Sequence, residues 1–380
     1  MTSISVHEIM RALEARAPAG TAEKWDNVGL LVGDPAWKTK GAVVSIDLTS
    51  QAIETAKKKG YKLIINHHPC IFPKGKGLST VVAGSPVYEA IRSGIAVVSS
   101  HTNFDQCALE VVHSITGALG VTALGRLIED PHHALSKLSV FVPGSHLESV
   151  RSALSLAGAG HVGNYDSCTF ESPGKGTFRA KQGAKPFVGQ LGMITRVDEH
   201  RLESVFPRGL KKPILAALRK AHPYEEIAYD LYPVEQAPSP HGVVSGLGYG
   251  FWGDFRSPKA FSDVSRSVKD LFTASGFLVT HPVPKRIRRI GFVAGKGASF
   301  VGAASAAGCD LFITGEAGYH SSLEASQPRM GAIKGMAVME IGHRESEKFF
   351  FATMKKWLIE IGMKSTGVSL VDVPTQKFQT

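Results

Sequence analysis

No stretch of this sequence approaches the ~20 consecutive apolar residues that a membrane-spanning helix needs, and the opening MTSISVHEIMRALEA has no apolar core of a secretory signal. Cysteine is scarce: Cys70, Cys107, Cys168 and Cys309 are the four, and no two form a C-x-x-C pair. That excludes a disulfide scaffold and a thiolate zinc framework, and in a reducing cytosol these residues read as small hydrophobes. Low-complexity tracts are absent, and 43% hydrophobic against 20% charged residues rules out a disordered chain. Positive charge is in excess, 43 Lys+Arg against 33 Asp+Glu for a formal net charge of +10, but it is dispersed. The small runs at 57–59 and 285–289 read as a solvated helix face and a strand lead-in rather than a nucleic-acid groove. Nucleic-acid binding is therefore permitted but weakly indicated, and the expectation is a soluble, cytoplasmic protein without a membrane partner.

At 380 residues the chain is too long for one ordinary domain. Up to about residue 130 helix and strand patterns alternate. Val6, Ile9, Met10 and Leu13 recur at helical spacing, with Pro18 beyond the helix. AVVSIDL (42–48) reads as a buried strand, Thr49 caps a helix that Gly60 ends, and YKLIINHH (61–68) is a second strand. A helix near 79–93 and the strand IAVVSSH (95–101) follow. Between 132 and 236 the order becomes β-α-β-β-α-β, with a Gly-rich middle and the exit linker QAPSPHG (236–242). The strand–helix rhythm then resumes, ending in one long helix over RESEKFFFATMKKWLIE. The predicted fold is α/β: a mainly parallel layered sheet domain in two sequence halves, 1–131 and 237–380, interrupted by an inserted ferredoxin-like α+β domain at 132–236.

Three apolar strands end in chemistry. Asn66-His67-His68-Pro69 follows the second strand, where α/β sheets collect ligand groups because the loops open into a crevice. Adjacent histidines within a strand point to opposite faces, but a turn just after it, stiffened by Pro69, can bring both imidazoles to a metal pair. Taken alone, the pair is equally consistent with a polar strand end. Ser100-His101-Thr102-Asn103-Phe104-Asp105 places another His and a carboxylate past the next strand, each of which alone reads as a loop residue or helix cap. His343 and Glu347 follow the strand MAVMEI and stand four apart, on one face of a helix. Together these segments deliver three His, one Asp and one Glu to one expected sheet edge, a set that suits two divalent ions. Imidazole with carboxylate favours Zn, Fe, Mn, Co or Ni over calcium.

WDNVGLLVGD (25–34), INHHP (65–69), SHTNFD (100–105), TGE…YH (314–320) and GHRESE (342–347) resemble the NIF-three-like family, also called GTP cyclohydrolase I type 2 homologues. The insert resembles the PII-like, or CutA-like, domain of its longer bacterial members through GAGHVGNYDSCTF, GKGTF, GAKPFVG and AHPYEEIAYD. The resemblance implies a dinuclear metal site: His68 and Asp105 on one ion, His67 and His343 on the other, with Glu347 bridging. It also implies His101 and His320 as outer groups or proton shuttles, and a homohexamer built from stacked trimers. Arg344 stands where many members carry an aromatic, and Glu316 where Asp is common.

The function expected is a dinuclear metal-dependent hydrolase, GTP cyclohydrolase-like or acting on a nucleotide or phosphoester. The alternatives are a non-catalytic metal-binding regulatory protein and a ring-shaped nucleic-acid-binding protein. Trp25-Asp26-Asn27 reads either as a cleft segment that orients a ligand or as a buried Trp with an Asx turn. Gly291, Gly295 and Gly297 read as a tight strand-to-helix turn in preference to a phosphate cradle, and His222-Pro223-Tyr224-Glu225-Glu226 as a helix-to-strand turn in preference to a further metal site.

Overall fold

The structure is a computed structural model that describes residues 3–71, 81–129, 135–162, 165–234, 247–327 and 335–373. It is a mixed α/β protein with several sheets. The chain divides into two compact units, one formed by Met1–Ile128 with Pro238–Thr380, the other by Glu129–Ala237. The expected linker 236–242 and both expected junctions, near 131 and 236, fall almost wholly outside the described residues.

The first unit holds two larger sheets, where the sequence suggested one. In a five-stranded sheet, Val368–Val371, Ala42–Ser45, Leu63–Asn66 and Ala96–Ser99 run parallel in that spatial order, and Gly29–Val32 closes the edge antiparallel. These central strands are buried on both faces, which is why they read as unbroken apolar runs. Leu63 and Ile65 pack with Phe350, Met354 and Trp357, while Ile64 turns to Ile53, Ala56 and Ala90. Each such fully buried aliphatic contributes about 2 kcal/mol of transfer free energy. The helix Ser50–Lys59 forms as its caps dictate: the Thr49 side chain accepts from Ala52 N, and Gly60 takes the left-handed conformation at φ 67°.

The six-stranded sheet is mixed. Arg286–Lys296, Leu311–Glu316 and Ala337–Glu340 are parallel, Leu278–Val279 and Phe251–Ala260 join them antiparallel, and Val121–Gly125 pairs antiparallel with Phe251–Ala260 at the edge. Strand Ala337–Glu340 therefore does not share a sheet with Leu63–Asn66 and Ala96–Ser99, and the ligands it carries arrive from a second sheet. The expected single C-terminal helix is two, His343–Glu347 and Phe349–Glu360, broken at Lys348.

The second unit has element order β-α-β-β-α-β, with strands Leu135–Pro143, Phe170–Arg179, Ile194–Pro207 and Tyr229–Val234 all antiparallel. Helices Leu147–Leu156 and Lys211–Ala221 pack on Leu138, Val140, Val142, Leu202 and Phe206 of that sheet. No helix among the described residues is long and apolar enough to cross a membrane.

Candidate metal centre

The turn after Leu63–Asn66 is held on all sides. His67 N donates to the carbonyls of Ser45 and Ile46 and His68 N to that of Ile46, while Ser99 Oγ donates to Asn66 Oδ1 and Asn66 Nδ2 to His68 O. This pins consecutive histidines so that both rings face one region, 5.2 Å apart between centroids. His101 follows the neighbouring strand, with its backbone N–H on Asn103 Oδ1, and its ring lies 5.1 Å from His67 and 5.4 Å from His68. Phe104 and Phe350 form the apolar wall behind His67, which is 1% exposed.

From the second sheet, Gly342 at φ 102° turns the chain into helix His343–Glu347, placing both site residues one turn apart. The helix seats on Gly295, whose N–H donates to Ser346 Oγ at 2.8 Å. A Cβ at Gly295 (φ +67°) would stand 2.6 Å from Glu347 Oε1, so a side chain at that position would invade the cluster. The glycine turn expected there thus serves the centre directly.

Each of the four clustered imidazoles commits Nδ1 to an oxygen. His67 Nδ1 lies 2.9 Å from Ser100 O, His68 Nδ1 2.8 Å from Asp47 Oδ1, His101 Nδ1 3.0 Å from Asp26 Oδ1 and His343 Nδ1 3.2 Å from Glu316 Oε1. A carbonyl or carboxylate can only accept, so Nδ1 carries a proton, and each ring offers a lone pair at Nε2 once that nitrogen is deprotonated. The Nε2 atoms of His67, His68 and His343 converge on Glu347. His343 Nε2 is 3.1 Å and His67 Nε2 3.7 Å from Oε1, and His68 Nε2 is 3.2 Å from Oε2. His67 Nε2 also lies 3.5 Å from Asp105 Oδ1.

Two groups of ligand atoms, His67/His68/His101 and His68/His343/Glu347, each fall within 4.8 Å of one another, which makes this a candidate metal site. His67 Nε2 and Glu347 Oε2 are shut off from solvent and have no hydrogen-bond partner among the described residues. Orphaned buried donors and acceptors of this kind are costly unless something else satisfies them, and a cation fits this donor set.

The electrostatics match. Burial holds the His67 imidazole neutral, down to about 3. Burial also opposes protonation of His68, but the carboxylates of Asp47 and Glu347 outweigh it and raise it to about 10. Asp105 is pushed up to about 7 by burial, with Glu347 adding to it. Glu347 stays ionised despite 7% exposure, because the surrounding imidazoles hold it below the carboxylate range.

The structure thus brings His67, His68, Asp105, His343 and Glu347 together. His67 and His343 share one Glu347 oxygen and His68 takes the other, while Asp105 approaches His67 rather than His68. His101 joins the ligand group itself. His320 does not join: it is exposed on helix Tyr319–Ser326, edge-on to Tyr319. Trp25 is 61% exposed rather than buried, and the functional member of its segment is Asp26, which accepts from His101 and from Thr102 N. Those bonds outweigh burial and bring Asp26 down to about 2. Glu316 is the partner of His343, while Arg344 forms a bidentate pair with Asp372 at 2.5 and 2.6 Å.

Asp47 was missed by sequence reasoning. Its signal was present: it follows the apolar strand Ala42–Ser45 at the edge where the His pair emerges. His68, His101, Asp105, His343 and Glu347 line one cavity of about 860 Å³ together with Trp25, Tyr249, Lys296 and Phe300.

The fold and this cluster define a mixed α/β protein with a candidate histidine–carboxylate metal centre. The model of the Duf34/NIF3 (NGG1p interacting factor 3) family matches residues 4–376, and the chain belongs to that family. It is 34% identical over 369 residues to the "GTP cyclohydrolase 1 type 2 homolog" of Bacillus subtilis, covering 97% of this chain and 96% of that one. The protein of the same name from Mycobacterium bovis is 30% identical over 352 residues, covering 91% and 89%. Among solved structures, a Bacillus cereus protein related to NIF3 aligns over 100% of both chains at 29% identity, with a TM-score of 0.73.

Proposed function

We propose that this chain is a dinuclear metal-dependent hydrolase. The observation that carries the reading is the clustering of four imidazole Nε2 atoms with the buried Glu347 and half-buried Asp105 carboxyl groups, each Nδ1 locked by an oxygen. Glu347 would hold two divalent ions drawn from Zn, Fe, Mn, Co or Ni together with His67 and His343, which lie near its Oε1, and His68, which lies near its Oε2. When bound, such a pair supplies Lewis acidity toward a carbonyl or phosphoryl oxygen and a lowered pKa for water. The protein's own contribution is placement. Asp47, Asp26, Glu316 and the Ser100 carbonyl aim the rings, and Phe104 and Phe350 keep water from the back of His67. His101, fixed by Asp26 at the cavity wall, is the acid–base group of this reading.

The printed name of the relatives favours a GTP cyclohydrolase-like or other nucleotide or phosphoester substrate. The protein acts in the cytoplasm. The second unit is an inserted ferredoxin-like, PII-like domain, a reading supported by its β-α-β-β-α-β order and by the neighbour order of its strands. Its exposed Phe170, Phe187, Leu191, Met193 and Ile194 support assembly with further copies, in a homohexamer of trimers.

The test has two readouts. Purified protein should hold two equivalents of divalent metal by elemental analysis, and the loaded protein should release product from GTP or a phosphodiester panel. His68→Ala should abolish both. Full metal occupancy with no turnover across metals and substrates would leave the non-catalytic metal-binding alternative in its place.

A further inference from the structure

The cavity beside the cluster has walls of uneven chemistry. Among the described side chains that line it, the cations other than histidine are Lys296 and Arg126. Arg126 is 5% exposed and donates to the carbonyls of Gly250 and Gln106. The same lining carries the carboxylates of Glu23, Asp47, Asp105 and Glu347.

The remaining wall is apolar. Trp25 stands 61% exposed with its ring 6.0 Å from that of His101. Phe300 packs edge-on to Tyr249 at 5.4 Å, and the Tyr249 hydroxyl is already used, donating to Glu23 and accepting from Gln106. Tyr249 therefore offers the cavity a ring face, and half-buried Val111 and Ala294 extend the same wall.

We infer that the substrate is an amphipathic small molecule, with one polar group reacting at the cluster and an aromatic or alkyl portion lying against Trp25, Tyr249, Ala294 and Phe300. This rests on the reading of the cluster as a metal centre and deepens it, giving the substrate of that site an apolar portion beside its reacting group. A cavity of about 860 Å³ is ample for such a portion.

The test measures binding, so it stands apart from turnover. The full chain is loaded with Co(II), and its visible spectrum is titrated with acetohydroxamate, butanohydroxamate and hexanohydroxamate, chelators that differ in apolar length alone. Affinity should rise about fourfold for each added methylene that is buried. The hexano-to-aceto ratio should collapse in Phe300→Ala, which removes wall, and in Ala294→Leu, which fills space. A flat series with acetohydroxamate bound would overturn the inference and leave the metal reading intact. Failure of acetohydroxamate itself to perturb the spectrum would strike the metal reading instead. A ratio unchanged in both variants would show that the apolar portion lies elsewhere, and would also overturn the inference.

Discussion

Each unit of this protein buries a histidine, and the two environments differ in one respect. In the second unit His222 uses both ring nitrogens: Nε2 donates to Phe141 O at 2.9 Å, and Nδ1 accepts from Tyr224 N at 3.1 Å. Burial pushes it down, so it stays neutral with one tautomer fixed. In the first unit, His67, His68, His101 and His343 also spend Nδ1, there as a donor to an oxygen, but direct Nε2 toward other histidines and a carboxylate. A buried imidazole with both nitrogens satisfied is a staple between backbone segments. One with a single nitrogen satisfied is half of a ligand set, and the unpartnered His67 Nε2 marks the difference.

The contrast is open to attack at four points, the largest effect first. Glu347→Gln should strip the protein of bound metal, because the oxygens shared by His67, His68 and His343 lose their charge, whereas His222→Ala should retain full occupancy. Elemental analysis after dialysis reads both, and equal occupancy in the two variants would erase the distinction. Next, Asp47→Asn and Glu316→Gln should each weaken metal affinity about 10- to 100-fold by freeing an imidazole to rotate. Asp47, at 2.8 Å from its ring against 3.2 Å for Glu316, should matter more. Competition against a chromophoric chelator measures both.

The third point is pH. His68 at about 10 and Asp105 at about 7 must lose protons to become ligands, so metal affinity should climb as pH rises from 6 to 8, by up to about tenfold per unit for each proton released. The metal-free protein should run the other way. A histidine raised from 6.5 contributes stability that is fully present below 6.5 and fades as pH climbs toward 10. Chelator-treated protein melted at pH 6.5 and 9.5 checks that sign. The smallest effect belongs to His222→Ala, which should cost about 2 kcal/mol in urea unfolding by orphaning the Phe141 carbonyl and the Tyr224 N–H, with metal content unchanged.

Much of the centre was legible because strand ends announce themselves. An apolar run that stops at Asn66-His67-His68, or at Ser100-His101, shows where the backbone leaves the sheet, and the i, i+4 spacing of His343 and Glu347 shows a shared helix face. What stayed hidden was everything carried by contact across the chain. Asp47, 21 residues before His68, becomes its partner because parallel neighbours Ala42–Ser45 and Leu63–Asn66 end side by side. His320 has the residue type of the site, but its helix leaves it facing solvent. The single-sheet expectation erred for a related reason: strand pattern reports burial, while sheet membership depends on which edges hydrogen-bond. The antiparallel strand Phe251–Ala260 went unseen because its charged second half interrupts the apolar signal.

The amino-acid sequence by itself determined the α/β character, the capped helix Ser50–Lys59 and the candidate ligand residues, because local periodicity, caps and strand-end residues are properties of neighbours in the chain. Only the tertiary structure decided that two sheets supply one cluster, that each imidazole is locked at Nδ1, and that His101 belongs to the cluster while His320 does not. Those facts depend on which nitrogen meets which oxygen across tens to hundreds of residues, and only packing sets such distances.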